Sequence, residues 1–246
     1  MKFLSWRLWL SLALIWLSVF LYFINYLIFR DANYMFRLFL AQLGFLPISV
    51  LLVTIIVNQL LTRHAKRSKL AKLNMVIGAF FSDAGTELLK MIAKYDLNLA
   101  KLRGEIISIN RWSDSDFLGF GKRLINYDPK MEVSESDLET LRGFLGGKRD
   151  FLMRLLENPN ILEHDSFSNL LLAVFHLAEE LAHRTQVERL TPADKEHLVG
   201  DLTRVYVFLT TEWVAYMRHL ENNYPYLFSL ALRTNPFDPE ATPEFK

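Results

Sequence analysis

Two long stretches without a formal charge, Leu8 to Phe29 and Leu38 to Thr62, constrain this chain more than anything else in it. A bilayer core roughly 30 Å thick is crossed by about 20 helical residues, and each stretch is long enough. In hydrocarbon a segment has to satisfy its own backbone polar groups, which a helix does. Both stretches are therefore predicted to be transmembrane helices, the second with a kink at Pro47, whose nitrogen carries no hydrogen. A cleaved signal peptide fits the first poorly: the apolar run exceeds an h-region and lacks a small-residue cleavage site.

Orientation follows from the positive charges. Lys2 and Arg7 precede the first run and Arg63, Lys66, Arg67, Lys69 and Lys72 follow the second, against only Arg30 and Arg37 between them. Positive charge concentrates on the cytoplasmic side, so the expectation is a multi-pass protein of the inner cell membrane with both termini cytoplasmic. The connection from Arg30 to Arg37 is too short for an external domain or a selectivity filter. The cluster from Arg63 to Lys72 is a stop-transfer flank and also a candidate site for anionic lipid headgroups.

Of 28 basic and 27 acidic residues, four and one fall before residue 63, so the remainder carries a formal charge of −2. A near-neutral domain offers no clustered basic face for phosphate, and no nucleic-acid partner is expected. With no cysteine, thiolate metal sites, disulfides and a cysteine nucleophile are excluded.

Beyond the basic cluster every signal is helical. Apolar residues at Leu70, Leu73, Ile77, Phe80, Ala84, Leu88, Met91, Tyr95, Leu99, Leu102, Ile106 and Ile109 recur in steps of three or four, which predicts one helix over 66–110, roughly 65 Å long. A connector over 111–133 holds a short helix capped at Ser113 or Ser115. Three more helices follow: 136–157, with a Ser136/Glu139 capping box; 166–188; and 192–222, capped by Thr191 with Pro192 in its first turn. A last apolar turn of helix runs from Pro225 to Leu232. The expected fold is an all-α membrane protein: a two-helix transmembrane anchor (1–62), a basic juxtamembrane segment (63–72), a cytoplasmic bundle of four or five helices (73–234) and an irregular tail (235–246). The Gly-Lys pairs at 121–122 and 147–148 lack Walker spacing and a preceding strand, so neither is a phosphate loop.

One constellation carries possible chemistry. His176, Glu180 and His183 stand at i, i+4 and i+7 on the third predicted helix, with Glu179 adjacent, so one helical face offers imidazoles and a carboxylate. These ligand types suit zinc, iron or manganese. A complete site needs acids or imidazoles from facing helices; His197 with Asp201, Asp83 with Glu87, and Glu212 are the candidates. No Ser-His-Asp order, dinucleotide glycine pattern or His-Glu-x-x-His motif accompanies them.

Three functional readings follow. The first is a non-enzymatic, membrane-anchored interaction or scaffold module whose amphipathic helices bury their apolar faces on each other, on a protein partner or in a homo-oligomer. The second is a metal-binding bundle, enzyme or sensor, built on His176, Glu180 and His183. The third is a channel or transport accessory, suggested by Gln42, Asn58 and Gln59 in the second apolar run, although polar groups there more often join helices.

Overall fold

A computed structural model describes residues 2–161, 164–184 and 190–244, with the side chains of 2–5, 7, 63–69, 71 and 125 outside the description. It divides into two compact units, Met1–Lys66 and Arg67–Lys246. The elements are α1 (Lys2–Phe29), α2 (Ala32–Phe80), a π-helical turn (Phe81–Gly85), α3 (Thr86–Ala93), α4 (Leu99–Ile106), a 3-10 turn (Ile109–Arg111), α5 (Asp114–Ile125), α6 (Glu135–Leu156), α7 (Asp165–His183), α8 (Pro192–Asn223) and α9 (Pro225–Arg233). Among the described residues there is no strand, only an isolated bridge between Asp96 and Met131. The all-helical class expected from the sequence is the observed one.

In the first unit the chain reverses at Arg30, whose φ of 46° is left-handed. Asp31 restarts the helix by accepting from Tyr34 N at 3.0 Å, an Asx-type start that its short carboxylate suits. Gln42 accepts the Tyr22 hydroxyl, so one of the three side-chain amides of the second apolar run joins helix to helix. Pro47 sits inside α2 without ending it. Apolar side chains point outward along both helices; Trp16 and Phe36, for example, are 73% and 63% exposed.

In the second unit α8 packs against α3, α5, α7 and α9, and α7 also packs against α6. Trp213, Tyr206, Phe80, Phe81, Phe120, Phe167 and Phe237 are its largest fully buried side chains. The single helix expected over 66–110 is interrupted three times, by a π turn, between Ala93 and Leu99, and after Ile106. The first break is the π turn, where a Cβ on Gly85 would come within 2.6 Å of the Phe80 ring and 2.8 Å of the Phe81 ring. Gly85 therefore makes room for two aromatic rings that meet edge-on, centroids 5.3 Å apart. The second break falls between Ala93 and Leu99, because Asp96, only 4% exposed, is drawn to a neighbouring segment. Its carboxylate accepts from the Tyr127 hydroxyl, from Lys130 N at 3.2 Å and from Asn98 N at 2.9 Å. Leu97 N and Tyr95 O bond to Lys130 O and Glu132 N at 2.9 and 2.8 Å. Backbone groups that would continue a helix are thus spent on residues 130–132.

The caps refine the expected boundaries. Ser113 caps α5 in a capping box with Asp116, and Thr191 caps α8 by accepting from Asp194 N at 3.2 Å. The box before α6 is Ser134 with Asp137, not Ser136 with Glu139: Ser134 Oγ accepts from Asp137 N at 3.2 Å and Ser134 N donates to Asp137 Oδ2 at 3.0 Å. Buried Val133, 2% exposed, fixes the entry of the chain two residues earlier than the alternative requires. Ser134→Ala should cost about 1 kcal/mol, read as a Tm lowered by roughly 2–4 °C, whereas Ser136→Ala should leave Tm unchanged. The expected third helix, 166–188, ends at His183 with Arg184 as its cap, and residues 185–188 lie outside the description.

After Arg233 the chain is irregular but not detached. Phe237 is 1% exposed and meets Trp213 edge-on at 5.5 Å. Its carbonyl accepts from Arg103 Nε at 3.1 Å.

Candidate metal centre

On α7 the apolar positions Leu170, Leu171, Val174, Leu177, Ala178 and Leu181 are buried, so the helix is clamped along one side. His176 and Glu180 flank that stripe one turn apart. On α8, Leu198, Leu202, Val205 and Leu209 are buried in the same way, and His197 and Asp201 repeat the one-turn spacing of an imidazole followed by a carboxylate. The α7–α8 packing brings the two pairs face to face. His176 Nε2 lies 3.4 Å from Asp201 Oδ2 and 3.9 Å from Glu180 Oε1. His197 Nε2 lies 3.4 Å from Asp201 Oδ2 and 3.8 Å from Glu180 Oε2. One ligand atom each of His176, Glu180 and His197 falls within 4.8 Å of the others.

These separations have a simple meaning. Ligands held about 2.0–2.1 Å from a tetrahedral zinc ion stand about 3.4 Å apart along each edge. The separations from Asp201 Oδ2 to the two imidazoles match that value; those from Glu180, at 3.9 and 3.8 Å, run to its two different oxygens and exceed it. Asp201 supplies the strongest reason for a cation. Its side chain is 3% exposed, its Oδ1 accepts from Arg204 Nη1 at 3.0 Å, and its Oδ2 is buried with no donor aligned on it among the described residues. A buried carboxylate oxygen left in this way is costly, and a metal ion between the two imidazoles would satisfy it.

Arg184 orients Glu180 by a hydrogen bond and, with smaller contributions from His176 and His197, holds its carboxyl below the usual carboxylate range. Arg184 and Arg204 are thus part of the arrangement. Their i+4 and i+3 positions relative to Glu180 and Asp201 are legible in the sequence, although the reading of candidate ligands passed over them.

The other candidates are not brought in. His183 Nδ1 donates to Glu179 O at 2.8 Å in the last turn of its own helix. Glu179 is held by Arg149 Nε at 2.8 Å, and Asp83 by Lys148 Nζ at 3.1 Å. Glu87 is exposed on α3. Of the basic juxtamembrane residues, Lys72 is exposed, and the side chains of Arg63, Lys66, Arg67 and Lys69 lie outside the description.

Glu212, further along α8, is 5% exposed. Burial pushes its carboxyl above the ordinary range, against smaller opposing effects of a Ser166 hydrogen bond and of His164. The folded protein therefore keeps this proton to higher pH than the unfolded chain, and the associated stability is complete below the unfolded value and lost as pH rises through the folded one. Glu212→Gln should accordingly raise Tm relative to wild type at about pH 8, the gap closing toward about pH 4. Scanning calorimetry at both values checks the sign.

The fold and this face together define an all-α protein with two long apolar N-terminal helices, followed by a helical domain carrying a cluster of imidazoles and carboxylates. The chain belongs to the MJ1433 family: residues 2–61 match "MJ1433, N-terminal helical domain" and residues 69–233 match "Uncharacterized protein MJ1433, C-terminal helical domain". It is 44% identical over 229 residues to the Uncharacterized protein MJ1433 of Methanocaldococcus jannaschii, which covers 93% of this chain and 92% of that protein. No solved structure matches it.

Proposed function

We propose that this protein is a membrane-anchored helical interaction module whose α7–α8 hairpin is locked by a divalent transition-metal ion. The observation that carries this reading is the approach of His176 and His197 to Asp201 Oδ2, 3.4 Å from each, with Glu180 beside both imidazoles, so that each helix contributes two residues. Were Asp201 to join His176, Glu180 and His197, four ligands would fill a tetrahedral shell and leave no position for substrate, which favours a structural or sensing ion over a catalytic one. Nitrogen and oxygen donors without sulfur suit zinc, with iron or manganese as competitors. By tying α7 to α8 the ion would set how firmly the hairpin is presented to a protein partner or to a second copy of the chain. The anchor reading is supported by two helices over Leu8–Phe29 and Ala32–Thr62, with mean hydropathy 2.2 and 2.4 and none of either apolar window buried. The distribution of Lys and Arg favours cytoplasmic termini.

Metal content of the detergent-purified full chain tests the reading. One ion per chain in wild type and in His183→Ala, and none in a His176→Ala/His197→Ala variant of unchanged far-UV circular dichroism, is the expected pattern. Wild-type protein free of metal after repletion with zinc, iron and manganese would sink it.

A further inference from the structure

α9 is a short helix with too much apolar surface for its setting. Of its nine residues only Ser229, Arg233 and, through its hydroxyl, Tyr226 carry a polar group. Phe228, Ala231 and Leu232 rest partly against the core of the second unit. On the outer side Tyr226 is 71%, Leu230 43% and Leu227 38% exposed, with Tyr224 at 38% just before the helix. No residue of α9 is buried. A helix apolar on both sides belongs in a core or at a lipid boundary, and the described chain places nothing over its outer side.

The position of α9 narrows the choice of what covers it. The Tyr224 ring lies 5.6 Å from His219, and His219 Nδ1 lies 3.1 Å from Asn74 Nδ2. Asn74 follows Thr62, the end of the second apolar run, by twelve residues, a stretch that reaches only about 40 Å even when fully extended. A tether of that length bounds how far Asn74 can lie from the end of the second apolar run, so with Thr62 at a bilayer surface weak interfacial affinity would suffice to seat α9. The outer face exposes roughly 400 Å², about half of the ~800 Å² per partner that a stable protein interface needs. Tyrosine and leucine side by side also suit the headgroup boundary, where the ring is buried and the hydroxyl stays wet.

We infer that the outer face of α9, formed by Tyr224, Tyr226, Leu227 and Leu230, lies on the surface of the lipid bilayer as an interfacial contact. This rests on the reading of Leu8–Phe29 and Ala32–Thr62 as membrane spans. The contact would hold the C-terminal end of α8 at the membrane.

The absence of cysteine makes every introduced thiol unique. Full-length Leu227→Cys and Leu230→Cys are spin-labelled in nanodiscs of phosphatidylcholine and phosphatidylglycerol, beside Ile48→Cys as the lipid reference and Leu172→Cys on α7 as the water reference. The ratio of collisions with oxygen to collisions with a water-soluble nickel chelate is expected to be several-fold higher at 227 and 230 than at 172. Ratios at 227 and 230 equal to that at 172 overturn the inference, as does dipolar broadening between labels that reveals a second copy on this face. A water-like ratio at 48 overturns the anchor reading and this inference with it. A lipid-like ratio at 48 with water-like ratios at 227 and 230 removes the α9 contact alone.

Discussion

Zinc added to the metal-free protein should raise Tm by roughly 5–10 °C, and a chelator should reverse the shift. An ion that binds only the folded state at one hundred times its Kd stabilises by about 2.7 kcal/mol, and each kcal/mol moves Tm by about 2–4 °C in a chain of this size. The effect is large because the proposed site joins two helices. His176 and Glu180 come from α7 and His197 and Asp201 from α8, so the folded pairing brings the proposed ligands together and an ion would bind to that pairing. His197→Ala should abolish the shift, since it removes one of the two imidazoles beside Asp201 Oδ2. His183→Ala should retain it, because that ring is turned to the Glu179 carbonyl. Differential scanning calorimetry with and without zinc reads all three proteins. A wild-type Tm indifferent to zinc, or a full shift in His197→Ala, would refute the assignment.

Phe237→Ala should destabilise the second unit by about 3–5 kcal/mol, the range for truncating a fully buried phenylalanine. The residue lies in a stretch with three prolines that looks like a disposable tail. Its ring nevertheless fills space beside Trp213 on the central helix, and its amide donates to Asn235 Oδ1 at 3.0 Å. Asn235 in turn donates through Nδ2 to Ile106 O at 3.5 Å, at the C-terminal end of α4. Removing the ring leaves a cavity against Trp213 and slackens the strap that ties residues 235–237 to α4 and α8. Chemical denaturation monitored at 222 nm gives the free-energy difference. A loss under about 1 kcal/mol would mean that the site collapses freely and that the strap contributes little.

What was legible in the sequence was whatever depends on near neighbours. Thr191, Pro192 and Asp194 specify the start of α8 among themselves, and the apolar spacing of α7 and α8 identifies their buried sides. The break after Ala93 was not legible. The three-and-four spacing runs on through Tyr95, Leu99 and Leu102 because both flanking helices face one core, and the competitor that ends the helix lies some thirty residues away at Tyr127 and Lys130. The cluster of imidazoles and carboxylates was legible in part. His176 and Glu180 follow from helical geometry, and His197 with Asp201 has the same spacing, but only the packing of α7 on α8 shows that the two pairs meet. His183 shares the face by angle alone. It stands in the last turn of α7, where its imidazole turns back to the Glu179 carbonyl one turn earlier.

Zinc K-edge absorption spectroscopy of the zinc-loaded full chain tests the central claim most directly. Four nitrogen and oxygen ligands at about 2.0–2.1 Å, with the outer-shell scattering of two imidazoles, are the predicted result. A six-oxygen shell without imidazole scattering, or no bound zinc at all, would contradict it.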